Sequence, residues 1–503
     1  MENTILYAAL VTVLSLVTLY FFITREPKNL PPSPPSLPII GHLHHLKLPL
    51  HRTLHRLSAK YGPVMTLPVR GPPLVVVSSL PLAEECFTKN DIVLANRPKL
   101  FIAKHLGYGY TTLISASYGD KWRNLRKIAT IEVLSSHRLN VVSHIRRDEI
   151  RRLMLRLARG GFGSYHQVEL KTLFSELTFN IMMRMIAGKR YYGEGVNVDE
   201  AEAREGRKLI KQIVGNGGIS YAGDFLPILK LVDYNGVKKR VVELKEKIDA
   251  FMQGLIDEHR RKKGEPELED SMVSHLLHLQ ESQPEDYSDF TIKGLIFVLL
   301  IAGTDTSSLT LEWIMANLLN NPEKLKKAQE EIDSVIGSDR LVEESDVSKL
   351  PYLQCVIFET LRLNTTAPLL VPHASSADCT IGGYLVPRDT ILLVNAWAIH
   401  RDPELWEDPL RFKPERFEGS GGEKQHKLIL PFGLGRRACP GAHLAQRVMG
   451  STLGLLIQCF DWKRVSEEEI DMREGPGTTM PKVVPLELLC KVRPSMEKLV
   501  PKD

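Results

Sequence analysis

The chain has 503 residues, enough for one large domain or about three of ordinary size. Its 65 basic and 60 acidic side chains are spread along the chain rather than blocked, which excludes a nucleic-acid-binding pattern. Six cysteines with no CxxC pair exclude a disulfide scaffold and fit a reducing compartment.

Residues 3–24 carry no charge and are mostly Leu, Val, Ala, Tyr, Phe and Ile. As a helix this run reaches ~33 Å, enough for a bilayer core. A cleaved signal peptide would carry a basic start and an A-x-A site. Only Met1 and Glu2 precede this run and no such site ends it, so residues 1–24 read as a transmembrane signal-anchor. Arg25, Lys28, Lys47, Arg52 and Arg56 follow, which puts the bulk of the chain on the cytoplasmic side. Residues 25–41 read as a Pro-rich hinge whose prolines favour extended polyproline geometry and hold the body off the bilayer. No second linker or repeat follows, so residues 42–503 read as one domain.

Within that domain His51 and His55 have the spacing of a zinc pair. They lack the Glu of H-E-x-x-H and any nearby Cys, and read as a surface helix. Leu74-Val75-Val76-Val77 reads as a strand. Trp122 and Arg126 share one helix face, on residues alone a surface cation–π pair. Residues 265–289 read as a surface loop. A helix of about 30 residues, ~45 Å long, starts at Asp289-Phe290-Thr291 and stops at Asn320-Asn321-Pro322. Its stretch 295–302 is apolar all round, so the helix runs through the core. Ala302-Gly303-Thr304-Asp305-Thr306-Ser307 then interrupts it; taken alone, that is a helix bent by Thr back-bonding. Glu359 and Arg362 stand one turn apart among apolar neighbours. Glu149/Arg152 and Glu258/Arg261 have the same spacing but sit among charges and read as solvated faces. Residues 379–395 read as a hairpin around Gly382-Gly383 and Pro387, and 419–422 as a surface loop. The whole is mainly α with a minor β region.

The strongest motif is Phe432-Gly433-Leu434-Gly435-Arg436-Arg437-Ala438-Cys439-Pro440-Gly441. A thiolate that binds iron needs a stiff, Gly-rich loop whose amides can point at the sulfur. Arg437 can pair with a carboxylate of the bound group. The residues after Pro440 return to helix, so the sulfur lies near a helix N-terminus, where negative charge is favoured. The plainer alternative is a structural Cys in a Gly-rich turn. At ~5% usage per residue type, five such fixed positions recur by chance on the order of 10⁻⁴ times in a chain of this length.

On these residues the chain resembles the cytochrome P450 superfamily, whose signature is F-x-x-G-x-R-x-C-x-G, here Phe432, Gly435, Arg437, Cys439 and Gly441. The resemblance implies the P450 fold, haem b with Cys439 as the axial iron ligand, and Phe432 and Arg437 beside the haem. It implies that Trp122, Arg126 and His373 meet the propionates, although His373 alone reads as a satisfied loop histidine. It gives Glu359 and Arg362 a third partner, Arg416 of Pro414-Glu415-Arg416-Phe417, in a structural network. It gives Ala302 and Gly303 the role of leaving space for dioxygen, and Thr306 and Asp305 that of a catalytic proton relay. Asn96-Arg97-Pro98 and the stretches 104–112 and 117–126 are similar to the plant microsomal group containing isoflavone 2′-hydroxylase. That group usually has Asn where this chain has Gly109.

By the same analogy the pocket is lined by residues 101–112, 301–306, 367–371 and 477–480, mostly apolar or aromatic, which suits a flat, weakly polar ligand. No G-x-x-x-x-G-K-[ST] and no G-x-G-x-x-G after a strand is present, so electrons must come from a separate protein, NADPH-cytochrome P450 reductase. Lys121, Arg123, Lys127, Lys424, Lys427, Arg436 and Arg447 are candidates for its docking face. The implied activity is a monooxygenase inserting one oxygen atom into a hydrophobic plant metabolite at the endoplasmic reticulum membrane. Hydroxylation, ring coupling and methylenedioxy formation stay open. So do a haem-thiolate isomerase or dehydratase and a non-catalytic relative, against which Thr306 and Asp305 argue.

Overall fold

The computed structural model describes residues 11, 12, 15, 29–37, 41–68, 71–216, 221–226, 229, 233 and 236–500. Of the expected membrane span only Val11, Thr12 and Ser15 are among them, all three helical and exposed. The rest of that span lies outside the described residues.

Apolar runs too short for helices become strands, and amphipathic runs pack around them. In chain order the elements used below are α1 (Leu50–Tyr61), β1 (Val64–Leu67), β2 (Leu74–Val77), α2 (Asp120–Lys127), β3 (His166–Glu169), α3 (Leu170–Ala187), α4 (Met272–Ser282), α5 (Asp289–Asn320), α6 (Pro351–Leu363), β4 (His373–Ala374), β5 (Cys379–Ile381), β6 (Tyr384–Val386), β7 (Ile391–Val394), α7 (Gly419–His426), α8 (Ala442–Cys459), β8 (Phe460–Arg464) and β9 (Glu487–Val492). One sheet has the order β1-β2-β7-β4, a second β3-β9-β8, and β5 pairs with β6. β2 and β7 run parallel with Leu74 opposite Ile391. Both are buried along their whole length, as the unbroken Leu-Val-Val-Val run requires.

α5 is the organising element. Its polar interruption does not break it, and α3, α6 and α8 pack around it. Among the described residues it is the one helix long and apolar enough to cross a membrane, yet most of it is buried in protein. It starts at Asp289 as expected, but the cap is the residue before: the Ser288 hydroxyl accepts from the Thr291 N–H (3.3 Å). Asp289 instead pairs with Arg260 (2.8 Å).

Several expectations are corrected. Residues 265–289 hold a short helix, Pro266–Glu269, and α4, which buries Met272, Val273 and Leu276. Residues 419–422 open α7 rather than a loop. The hairpin is limited to β5 and β6, turned by Gly382 (φ +58°) and Gly383 (φ +81°); β7 joins the large sheet. Glu149 is no solvated residue: it is buried and pairs with Arg184 (2.7 Å) and Arg190 (3.0 Å). His51 is buried against Glu474 (2.8 Å) rather than on a surface. The Pro-rich segment is seated on the body from Asn29 onward. Pro31 and Pro34 are buried, and the Pro32 carbonyl accepts from Thr66 N–H (2.9 Å).

Candidate active site

The cysteine loop is built by glycines and one carboxylate. Gly433 (φ +68°) and Gly435 (φ +65°) turn the chain in the left-handed region. A Cβ on Gly435 would stand 2.5 Å from Asp91 Oδ1. Asp91 fills that space: it accepts from the Arg436 amide (3.2 Å) and guanidinium (2.6 Å) and so fastens the loop. The Phe432 carbonyl accepts from the Cys439 N–H (2.8 Å). The amides of Gly441 and Ala442, at the N-terminus of α8, donate to the sulfur. Burial holds the thiol above its ordinary range, while those amides and Arg126 favour the thiolate. Cys439 is nevertheless exposed.

Beside it stands a cluster of cations, Arg97 buried and Arg126 and Arg437 half-buried. The Arg437 side chain donates to the carbonyls of Ala95 (2.7 Å), Leu113 (3.2 Å) and Ala116, and lies over the buried Trp122 ring at 4.2 Å. Trp122 Nε1 donates to the Leu113 carbonyl (3.1 Å). Arg126, one turn along α2, donates to the Ala438 carbonyl (2.6 Å) next to the cysteine. Arg97 donates to Ile114 (3.2 Å), Val371 (2.8 Å) and Pro372 (2.7 Å) carbonyls. Burial and the neighbouring Arg437 push Arg97 down to about 9; burial and Arg126 push Arg437 to about 10. Both stay charged at neutral pH.

Among the described residues no carboxylate pairs with Arg97, Arg126 or Arg437. Buried cations in that state are costly unless an anion joins them. His373 lies in the same cluster, but burial with Arg97 beside it holds it neutral, and its Nδ1–H is taken by the Leu94 carbonyl (2.7 Å). Arg97 is the site residue that sequence reasoning misses. Only its place in Asn96-Arg97-Pro98 marks it, and its partners lie far along the chain.

In mid-α5 Ala302 is exposed, although Leu299 and Leu300 before it and Thr304 after it are buried. The missing Cβ of Gly303 would lie 2.6 Å from Met182 Sδ on α3, so this glycine lets the two helices approach. The Thr306 hydroxyl donates to the Ala302 carbonyl (2.7 Å). Asp305 is largely buried, which pushes its carboxyl up; Thr479 Oγ1 donates to its Oδ2 (2.8 Å) and partly offsets that.

Glu359 and Arg362 are fully buried and bonded twice, both at 2.8 Å. Arg416 adds a third bond to Glu359 (3.1 Å), as does the Lys413 amide (2.8 Å). Arg362 also donates to the carbonyls of His400 (2.6 Å) and Pro409 (2.8 Å). The charges are thus met on all sides, as burial demands.

The donor set fits haem. A desolvated thiol under two amides suits an iron ligand, and three unpaired guanidinium groups suit two propionates. Among the described residues no cluster of His, Cys, Asp and Glu could hold a free metal ion.

The comparisons agree with this chemistry. The chain is similar to isoflavone 3′-hydroxylase of Medicago truncatula (55% identical, covering 95% of this chain and 98% of the relative). It is similar to isoflavone 2′-hydroxylase of Glycyrrhiza echinata (54%, covering 94% of each). It is also similar to (+)-piperitol/(+)-sesamin synthase of Sesamum radiatum (50%, covering 99% of each). A family model described as Cytochrome P450 matches residues 31–487. The chain therefore belongs to the cytochrome P450 family: it is a haem-thiolate monooxygenase with a small-molecule substrate and a separate redox partner.

Proposed function

We propose that the chain oxidises a flat phenolic plant metabolite, an isoflavonoid in the first instance, with Cys439 as the iron ligand. The observation that carries the assignment of Cys439 is its setting: an exposed cysteine whose sulfur lies under the amides of Gly441 and Ala442, beside the cluster of Arg97, Arg126 and Arg437. When bound, haem supplies the redox chemistry by which one oxygen atom of dioxygen enters the substrate and the other leaves as water. The chain's own residues do the rest. Arg97, Arg126, Arg437 and Trp122 hold the propionate side. Thr306 and Asp305 hold and pass on protons, and Glu359, Arg362 and Arg416 keep the cysteine side in shape.

The substrate reading rests on the isoflavone hydroxylases among the relatives and on the lining. Two of the segments expected to line the pocket are joined where Thr479 reaches Asp305, and the Met480 amide donates to the Thr366 carbonyl (3.0 Å), just before the third. Lys104, His105 and Asp305 are the charged or basic residues of these segments. The likeness to (+)-piperitol/(+)-sesamin synthase supports a second reading, closure of a methylenedioxy bridge. Microsomes carrying the chain and a reductase, fed NADPH with an isoflavone or with a phenolic bearing adjacent hydroxyl and methoxy groups, separate the two. Hydroxylation adds one oxygen; bridge formation removes two hydrogens. No product from either probe overturns the substrate assignment.

The electron donor is NADPH-cytochrome P450 reductase, and residues 3–24 anchor the chain in the endoplasmic reticulum membrane with the domain on the cytoplasmic side. Within the hinge of residues 25–41, Asn29 and Pro32 already bond to the domain.

A further inference from the structure

Residues 474–482 form a loop that returns on itself. Glu474 bridges Lys482, and the Gly475 amide donates to the Pro481 carbonyl (2.7 Å). Its base is held from three sides, since the buried Glu474 carboxylate accepts from His51 (2.8 Å), Arg52 (2.7 Å) and Trp397 Nε1 (2.9 Å). Its far limb is held by Met480, whose amide donates to Thr366 (3.0 Å) and whose carbonyl accepts from Trp313 Nε1 (2.7 Å). Gly477 (φ +155°), where a Cβ would come within 2.8 Å of the Thr479 carbonyl, lets the turn close. Toward Asp305 in mid-α5 this braced loop presents the Thr479 hydroxyl, 2.8 Å from Oδ2.

We propose that Thr479 is a positioning residue for Asp305: its hydroxyl fixes the carboxylate's orientation and steadies its ionised form, so the loop sets how readily Asp305 takes up and passes on a proton. The inference rests on the relay role proposed for Asp305. The physical need is plain. A buried carboxyl without donors turns neutral or rotates to find one. On α5 the neighbouring hydroxyls are already committed to the helix, Thr306 to Ala302 (2.7 Å) and Ser308 to the Asp305 carbonyl oxygen (2.9 Å). Lys171 acts on Asp305 through space but makes no bond to it. A side chain from another segment supplies the donor, and the bracing of that segment makes the distance reproducible.

The test compares Thr479→Val, which keeps the shape and loses the hydroxyl, with Thr479→Ser, which keeps the hydroxyl, in the full haem-loaded chain with reductase. Asp305→Asn serves as reference. The protonated Asp305 carboxyl is followed by difference infrared spectroscopy, its band identified by its loss in Asp305→Asn. Thr479→Val should raise the titration midpoint by on the order of one pH unit, because a bond to the ionised form is lost. With an isoflavone as probe it should also lower product per NADPH several-fold. Thr479→Ser should restore both. An unmoved midpoint in Thr479→Val overturns the proposal, and this arm needs no substrate. If Asp305→Asn leaves product per NADPH unchanged, the relay reading itself falls and the proposal with it. If only Asp305→Asn uncouples, the relay stands and Thr479 is a packing residue.

Discussion

Cys439 and Thr306 show how much of a residue's chemistry is set by its neighbours. The Cys439 thiol is held up by burial and drawn down by the amides at the start of α8 and by Arg126. Cys86, Cys355, Cys459 and Cys490 are buried with no such donors, and burial pushes each thiol far up. Cys439→Ser should therefore abolish the thiolate-type spectrum of the reduced carbon monoxide complex, and replacing any of the other four should not. Thr306 presents a subtler case, because its hydroxyl proton is committed to the Ala302 carbonyl at 2.7 Å. Its oxygen lone pairs remain free to accept, and the proton is released only when a better acceptor arrives. Thr306→Ala should retain haem while losing more NADPH as peroxide, and Thr306→Ser should behave like the parent. An unchanged product yield per NADPH in Thr306→Ala would remove Thr306 from the relay. Gly109 stands where the resemblance leads to an expectation of Asn. It sits at φ +66° with open space around it, and Asn is among the few residues that tolerate that region. The difference subtracts an amide from the loop and keeps its shape.

Two elements on the cysteine side decide whether the haem site survives. The Glu359–Arg362–Arg416 network joins α6 to the segment before α7, and His400 links it onward. The His400 carbonyl accepts from Arg362, its Nδ1–H donates to Thr365 Oγ1 (2.7 Å), and its Nε2 accepts from the Leu430 amide (2.7 Å), just before the cysteine loop. Glu359→Ala strands Arg362 without its counter-charge, at a cost of ~3–5 kcal/mol, and should yield little haem-loaded protein. Normal haem content and melting temperature would contradict that role. His400 adds an acid limit. Burial, with Arg362 and Arg401 nearby, pushes it down to about 3. A base whose folded value lies below its unfolded one takes up protons on unfolding, so its contribution is full above pH ~6.5 and fades as pH falls below it. Melting temperature should drop between pH 7 and 5, and His400→Gln should flatten that slope. The network was legible in sequence because Glu359 and Arg362 are one turn apart in an apolar helix, and the cysteine loop because its glycines and arginines have fixed spacing. What escaped were pairings between distant segments. Glu149 is met by Arg184 and Arg190, Arg97 reaches Val371 and Pro372, and α4 buries Met272, Val273 and Leu276 inside a polar-looking stretch. α7 escaped for the opposite reason, since its Gly-rich start has low helix propensity and only the fold makes it helical.

At the scale of the molecule the question is how electrons reach the cysteine side. α2 and the cysteine loop, far apart in sequence, meet at Tyr118. Its hydroxyl accepts from Arg436 (3.2 Å), and Arg123 lies over its ring at 5.9 Å. The two segments therefore share one face, and the basic side chains divide on it. Arg447 is partly buried and bonded to Glu344 (3.0 Å), and Arg436 to Asp91 (2.6 Å), so both serve the fold first. Lys121, Arg123 and Lys127 on α2 are exposed, as are Lys424 and Lys427 by α7. Of these, Arg123 is already paired with Asp120. Lys121 and Lys127 are then the charges to reverse, since among the described residues neither forms an ion pair; Lys121 lies over the Phe290 ring at 5.9 Å. Such a surface acts on encounter rate and is screened within ~10 Å at 0.1 M salt. Lys121→Glu with Lys127→Glu should slow reductase-driven reduction of the iron several-fold at low ionic strength and less at high. Substrate affinity and haem content should stay as in the parent, because Trp122 and Arg126 point inward between the reversed residues. Stopped-flow reduction under carbon monoxide at two salt concentrations reads this directly. Equal rates for parent and variant at low salt would move the docking face away from α2, and a loss that persists at high salt would mean damage to the helix rather than to the encounter.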